Sequence, residues 1–290
     1  MGDRLPAARP GCANIETMKP PVAVTVAAHD PLGGAGLAAD LTTFAAFGVH
    51  GAAVVTAVTA QRLGSVDRVV PSAPDLVADQ LDGIIADLAP TAAKSGLVGD
   101  AGVIEVMVDR VRSGELPAPV VDPVMVDGTG RRIVPDEVLA AYIDLLLPAA
   151  RVVTPNLAEA TLLVGRPLAT VDEVVAAGPD LIGLGSAAVD VTGGRLGETV
   201  AADVLVAADG AETVLESPRL ETVNVRGSGC TLAAAITAGL ARGHEVAEAV
   251  AAAKAFVAAR LADAAGWRFD GRGPVAHTFG DQGTSAHSSP

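Results

Sequence analysis

The chain has 290 residues, half of them apolar, with a formal net charge of −14 and a pI near 4.6. That length holds one large α/β domain or two small ones, and its core must be built mainly of Ala and Val because only 2% of residues are aromatic. Such acidity with so few rings argues against nucleic acid as a partner, since phosphates call for Lys and Arg and bases stack on aromatics.

Residues 1–19 carry Arg4 and Arg9 but no apolar stretch of the kind a signal peptide needs; they read as a flexible extension, with Met18 a second candidate start. Nowhere does an apolar run approach the roughly 20 residues of a membrane span. Cys12 and Cys230 stand far apart in unlike contexts, which argues against a disulfide and for a reducing, cytoplasmic setting.

Apolar runs over 22–28, 52–59, 120–122, 152–154 and 187–192 read as strands. They are near-continuous, as strands covered on both faces of a parallel sheet must be. The segments 36–47, 74–88, 101–112, 136–147, 157–164, 231–241 and 246–265 read as helices. This alternation predicts an α/β fold, a doubly wound and mostly parallel sheet with helices on both faces. The stretch 200–225 differs: short β-like pieces flank the turn Ala208-Asp209-Gly210-Ala211, which predicts a small antiparallel edge. No linker interrupts 20–280, so one domain is expected, followed by a disordered polar tail over 281–290.

Ligands of such sheets bind beyond the carboxyl ends of the strands. After the first strand comes His29-Asp30-Pro31-Leu32-Gly33-Gly34-Ala35-Gly36, a Gly-rich turn without the dinucleotide spacing. Asp40 in the next helix reads either as a solvated acid or as a substrate hydrogen-bond acceptor. Lys94, one of three lysines, follows a short strand-like run and is the one expected near the strand tips. Asp122-Pro123-Val124-Met125 ends another strand, where an Asp either terminates the strand or holds metal or phosphate. The loop Asp127-Gly128-Thr129-Gly130-Arg131-Arg132 suits a lid over phosphates, or a plain surface loop. In Thr154-Pro155-Asn156-Leu157-Ala158-Glu159 the Asn and Glu form a capping box, and both also face one way, toward a hydrated Mg²⁺ if one is there. Finally, Arg226-Gly227-Ser228-Gly229-Cys230-Thr231 opens an apolar helix. Its amides form an anion nest, and Cys230 in the first turn is expected to have a depressed pKa, as a general base would. A Gly-rich turn with a buried small Cys is the plainer reading.

In order and spacing, the Asp30…Gly33-Gly34-Ala35-Gly36…Ala39-Asp40 segment, Thr56-Ala57-Val58-Thr59-Ala60-Gln61 and the last three motifs that contain Asp122, Asn156 and Cys230 resemble one family. They resemble the hydroxymethylpyrimidine/phosphomethylpyrimidine kinases over roughly 20–280. The resemblance implies a ribokinase-like fold, ATP with Mg²⁺, and a homodimer. It implies phosphorylation of 4-amino-5-hydroxymethyl-2-methylpyrimidine and its monophosphate in thiamine biosynthesis. Asp40 and Gln61, beside Gly33 and Gly34, would then bind the aminopyrimidine. Cys230 would be catalytic with Gly227, Ser228 and Gly229 as the anion-binding turn. Asn156, Thr192, Gly193 and Arg226 would contact ATP, and Asp122 and Glu159 would serve the Mg²⁺–phosphate side.

The sequence also departs from that pattern. Ala28-His29 replaces Gly-Ser or Gly-Thr, Ala38 a Gln, and Leu97 a Met. Thr192-Gly193-Gly194-Arg195 replaces Lys-Gly-Gly-His, Arg226 replaces a His, and the lid lysine is missing, with Arg131 or Arg132 nearby. Losing a phosphate-side Lys weakens charge stabilisation unless an arginine replaces it. Two other readings stand beside the pyrimidine kinase. One is a pyridoxal or related vitamin kinase with the same apparatus. The other, motivated by Thr192 and Arg226, is a pyrimidine-binding regulator without catalysis.

Overall fold

The computed structural model describes residues 19–126, 131–194, 196 and 199–277. The expectations for residues 1–18, for 127–130, for Arg195 and for the 281–290 tail lie outside the described residues.

Strand β1 (Val22–His29) buries every residue but its last, as its unbroken apolar run requires of a central strand. It pairs in parallel with β2 (His50–Arg62) and with β4 (Ala92–Ser95). The parallel ladder continues through β5 (Val120–Val121), β6 (Val152–Val153) and β7 (Ala188–Val191). At one margin β3 (Ser65–Pro71) lies antiparallel to β2; at the other, β8 (Val200–Ala207) and β9 (Glu212–Pro218) run antiparallel beyond β7. The sheet order among the described residues is β3-β2-β1-β4-β5-β6-β7-β8-β9. Both margins are therefore antiparallel, where the sequence pointed to one. The β8–β9 turn lies where expected, with Gly210 at φ 85°. Strand β3 carries no apolar run because it is the solvated margin, with Ser65, Asp67 and Arg68 exposed.

Helices cover both faces. On one side lie α1 (Gly36–Ala46), α8 (Ser228–Ala241) and α9 (Val246–Ala264), packed through small residues. Residues 231–239 of α8 are all buried, and Gly239 sits so close to α9 that an added Cβ would lie 2.9 Å from Ala249 Cβ. The other face carries α2 (Pro74–Leu88), α3 (Ala101–Arg112), α4 (Asp136–Ala141), α5 (Leu157–Val164), α6 (Val171–Ala176) and α7 (Gly178–Ile182). The single helix expected over 136–147 is instead α4, a π turn at Tyr142–Leu146 and a 3₁₀ turn at Leu147–Ala149. Buried Tyr142 ties this break to the sheet, its hydroxyl donating to the Gly96 carbonyl at 2.8 Å. Among the described residues no helix is long and apolar enough to cross a membrane.

Candidate active site

The carboxyl ends of β1, β2, β5 and β6 open, together with the start of α8, onto a cavity of about 320 Å³. Two glycines fix its rim. Gly227 has φ 78° and caps α8; a Cβ there would collide with the Gly34 carbonyl, so the 226–229 turn and the 29–36 loop pack backbone to backbone. Gly36, at φ 56°, would collide with the Ala28 carbonyl. Helix α8 starts at Ser228, three residues before the sequence reading placed it, so Ser228, Gly229 and Cys230 form its first turn. First-turn amides have no acceptor within their own helix, and here they border the cavity.

Cys230 is half-buried on the cavity wall, and its environment corrects the expectation of an acidic thiol. Burial pushes the thiol up, the Asp122 carboxylate pushes it further, and the nearby Lys94 ammonium and the Gly36 amide only partly oppose them. The helix dipole is outweighed because the thiol faces a carboxylate to which it is hydrogen-bonded. Asp122 is itself 6% exposed and raised by burial, with Lys94 opposing. Its Oδ2 finds no hydrogen-bond partner among the described residues and lies 3.9 Å from Lys94 Nζ.

Asn156 and Glu159 form the capping box that the sequence pointed to. The Asn156 side chain accepts from the Ala158 and Glu159 amides at 2.9 and 3.1 Å, and Glu159 accepts from the Asn156 amide at 2.9 Å. Both also line the cavity. Burial, then the charge of Asp122, pushes the Glu159 carboxyl up to about 8. Two mutually repelling buried carboxylates, one with an orphaned oxygen, form a donor set that suits a divalent cation. Among the described residues no group of three or more His, Cys, Asp or Glu is placed to hold a metal ion, so a cation here would need further oxygen ligands from a bound molecule or water.

Other candidates fall differently. Gln61 lines the cavity with Thr59, whose hydroxyl donates to the His29 carbonyl at 2.8 Å, and Leu97 lines it as well. Asp40 is neither a solvated acid nor a cavity residue. It is fully buried under the site, accepting from Thr25 Oγ1 at 2.6 Å and from Lys94 Nζ at 2.9 Å. Lys94, the penultimate residue of β4, lies near the strand tips but is fully buried beneath them, and Asp40 is the counter-ion that makes its burial tolerable. Among the described residues, the cavity wall also omits Gly33, Gly34, Thr192 and Gly193. Gly33 is an exposed turn residue at φ 69°, and Gly34 is buried beneath the Arg226 side chain. Thr192 pairs with the strand tip through the Pro155 carbonyl at 2.9 Å. The Gly193 amide is taken by Asp203 at 2.9 Å, and Asp203 is in turn ion-paired with Lys254 at 2.9 Å.

Arg226 lines the cavity and clasps Asp30, Nη2 to Oδ2 at 3.1 Å. The sequence reading missed this pairing, and it missed Arg272 and the β2–β3 turn, which also line the cavity. The clasp spans 196 positions, and no local spacing signals it.

Comparison with known proteins bears on family and fold. A family model described as phosphomethylpyrimidine kinase matches residues 30–276. A hydroxymethylpyrimidine/phosphomethylpyrimidine kinase of Rhizobium meliloti is 43% identical over 260 residues, 88% of this chain and 96% of the relative. Among solved structures, an ADP complex of Bacillus subtilis pyridoxal kinase aligns with TM-score 0.82 and 35% identity over 89% of this chain and 98% of its own. A phosphomethylpyrimidine kinase of Clostridium difficile aligns with TM-score 0.72 and 34% identity, over 81% and 97% respectively.

Proposed function

Because the chain belongs to the phosphomethylpyrimidine kinase family, we propose that this kinase uses ATP and Mg²⁺ to phosphorylate 4-amino-5-hydroxymethyl-2-methylpyrimidine and then its monophosphate. The observation that carries the reading is the placement of Cys230 beside Asp122, at the amide-rich start of α8, in a cavity that also presents Gln61.

Gln61 hydrogen-bonds the aminopyrimidine edge, and Leu97 supplies the apolar contact beside it. The Ser228 amide is taken by the Val225 carbonyl at 3.2 Å, so the first-turn amides of Gly229 and Cys230 receive the phosphoryl group in transfer, where preorganised donors stabilise developing charge. Asp122 and Glu159 would hold Mg²⁺, which when bound neutralises phosphate charge. Cys230 takes the proton of the acceptor hydroxyl. Its raised pKa makes the thiolate a minor form and a strong proton acceptor, so turnover rises with pH. Phosphoryl transfer depends mainly on positioning and charge stabilisation, so the amide turn carries at least as much of the rate as the base. Asn156 and the Thr192-Gly193 turn behind it border the nucleotide side.

The free, half-buried thiol of Cys230 suits a reducing cytoplasm. The homodimer belongs to the same reading: on the β2–β3 hairpin the cross-strand pair Val58 and Val70 is 54% and 47% exposed, an apolar face at the sheet margin.

A second reading, pyridoxal kinase, is favoured by the close fold match to the Bacillus subtilis enzyme. ADP release measured in parallel with the pyrimidine alcohol, its monophosphate and pyridoxal separates the two. Turnover of both pyrimidines supports the proposal; turnover of pyridoxal alone replaces it with the second reading.

A further inference from the structure

The sheet order sets the two ends of the cavity rim apart. Gln61 stands near the end of β2, helix α8 packs over β1, β4 and β5, and the rim continues to Asn156 just beyond β6. Thr192 carries β7 one residue further, pairing beside Asn156, with its amide donating to the Pro155 carbonyl at 2.9 Å. The turn Thr192-Gly193-Gly194 therefore extends the rim past Asn156, on the side of the α8 start opposite Gln61. Strand-tip ligands of such sheets lie along this rim, and with the acceptor at Gln61 the phosphate donor takes the β6–β7 side. Gly194 is exposed, and among the described residues no atom lies within 4 Å of where its Cβ would sit.

This turn is held from behind. Gly193 lies so close to β8 that a Cβ would collide with the Ala202 carbonyl and with Leu196. Its amide donates to Asp203 Oδ1 at 2.9 Å, and the same oxygen takes Lys254 Nζ of α9 at 2.9 Å. Strand register brings the groups together. Alternation sends Asp203 and Leu205 of β8 to one face, and Asp190 of β7 pairs with Leu205, so both carboxylates lie buried on the face that α9 covers. Neither oxygen of Asp190 has a hydrogen-bond partner among the described residues, and burial with the charge of Asp203 pushes its carboxyl toward the neutral form. The Lys254 ammonium is left as the counter-ion of Asp203. An ionised acceptor bonds a backbone amide more strongly than a neutral one, so the pair fixes Gly193 more firmly than a carbonyl would.

We propose that Asp203 is a positioning residue for nucleotide binding: anchored by Lys254, it holds the Gly193 amide and thereby sets the Thr192-Gly193-Gly194 rim against which the phosphate donor rests. This rests on the reading that the cavity transfers phosphate from ATP, and it adds buried residues behind the rim on which donor binding depends. Asp203 is 4% exposed, lies off the cavity wall and acts only through Gly193.

Calorimetry measures binding of ADP·Mg²⁺, and separately of the hydroxymethylpyrimidine, to wild type, Asp203→Ala, Asp203→Asn, Lys254→Gln and Asp190→Asn; steady-state kinetics give KM for ATP and kcat for the same proteins. Loss of a charge-assisted hydrogen bond predicts that Asp203→Ala weakens ADP·Mg²⁺ at least about tenfold and raises KM for ATP to match, with pyrimidine affinity kept within about twofold. Asp203→Asn keeps an acceptor oxygen for the amide and recovers part of the loss. Lys254→Gln removes the anchor but not the amide bond; it weakens ADP·Mg²⁺ by about threefold and carries the test if Asp203→Ala does not fold. Asp190→Asn leaves the Gly193 amide bonded and keeps ADP·Mg²⁺ affinity within about twofold of wild type. Unchanged ADP·Mg²⁺ affinity in Asp203→Ala, or in Lys254→Gln where that variant stands alone, overturns the inference and leaves the kinase reading standing on wild-type turnover. Equal losses for nucleotide and pyrimidine, or an Asp190→Asn loss as large as that of Asp203→Ala, also overturn it, because both mark a general loosening of the fold. Wild-type protein that binds no ADP·Mg²⁺ defeats the kinase reading and the inference with it.

Discussion

Beneath the cavity the residues form a line of alternating charge: Thr25 and Lys94 hold Asp40, and Lys94 reaches toward Asp122, which faces Cys230. Lys94 is fully buried, so its ammonium is sustained by the two carboxylates and not by water. Burial lowers its proton affinity, but Asp40 and the neighbouring anions outweigh that and raise it. Lys94→Met leaves Asp40 and Asp122 buried without their cation and is expected to cost about 3–5 kcal/mol in denaturant unfolding. A loss below about 1 kcal/mol would show that the line is not an ion-pair network at all. At Cys230 the expectation is kinetic: Cys230→Ala lowers kcat at least about 100-fold with a smaller change in KM. Because the wild-type thiol pKa is raised, its thiolate fraction and its rate climb through the neutral and alkaline range, and the Ala variant loses that climb. A variant with near-wild-type kcat and an unchanged pH profile removes Cys230 from proton transfer.

Elements were legible wherever an apolar period was strong and local. The runs at 22–28, 120–122 and 152–154 appear as the buried core of the parallel sheet, and the capping box at Asn156 and Glu159 forms as the residues require. Strand β3 was not legible, because its exposed face breaks the apolar run, and neither was the π turn at Tyr142, which depends on a hydroxyl contact with Gly96 across the sheet tip. The start of α8 was misjudged because glycines at 227 and 229 resemble a loop, although Gly229 is already helical. Where β7, β8 and α9 meet, Asp190, Asp203 and Lys254 are buried together, and neither carboxylate oxygen of Asp190 has a hydrogen-bond partner among the described residues. Burial, then the charge of Asp203, pushes the Asp190 carboxyl up, with Lys254 opposing. The folded protein thus keeps a proton that the unfolded chain releases near the ordinary Asp value of about 4. Stability from this site is full below that pH and declines as pH rises, until Asp190 itself ionises. Asp190→Asn removes the decline. In thermal unfolding from pH 5 to 8.5, the variant is expected to show a flatter pH dependence and a Tm several degrees above wild type at the alkaline end. A variant with the wild-type slope would place the proton elsewhere.

At the scale of the whole molecule, the sheet order carries the chain's segments to one rim, and the site was legible to the extent that its parts were local. Gly227-Ser228-Gly229-Cys230, Asp122, Asn156 and Glu159 each lie at a strand tip or helix start, and each reached the cavity wall. What sequence spacing did not reveal depends on contacts between distant segments. Asp40 in α1 points under the site, where it is the counter-ion of Lys94 in β4, and the Gly193 amide is held by Asp203. Arg226 meets Asp30 across 196 positions of the chain. The cavity joins these pieces, and the acceptor of the proposed kinase reaction is the central claim. The most direct measurement incubates the protein with ATP·Mg²⁺ and an equimolar mixture of the hydroxymethylpyrimidine and pyridoxal, and follows the products by ³¹P NMR. The account predicts that the pyrimidine monophosphate forms first and is then converted to the pyrophosphate, while pyridoxal is consumed more slowly. Accumulation of pyridoxal phosphate with the pyrimidine untouched would contradict it.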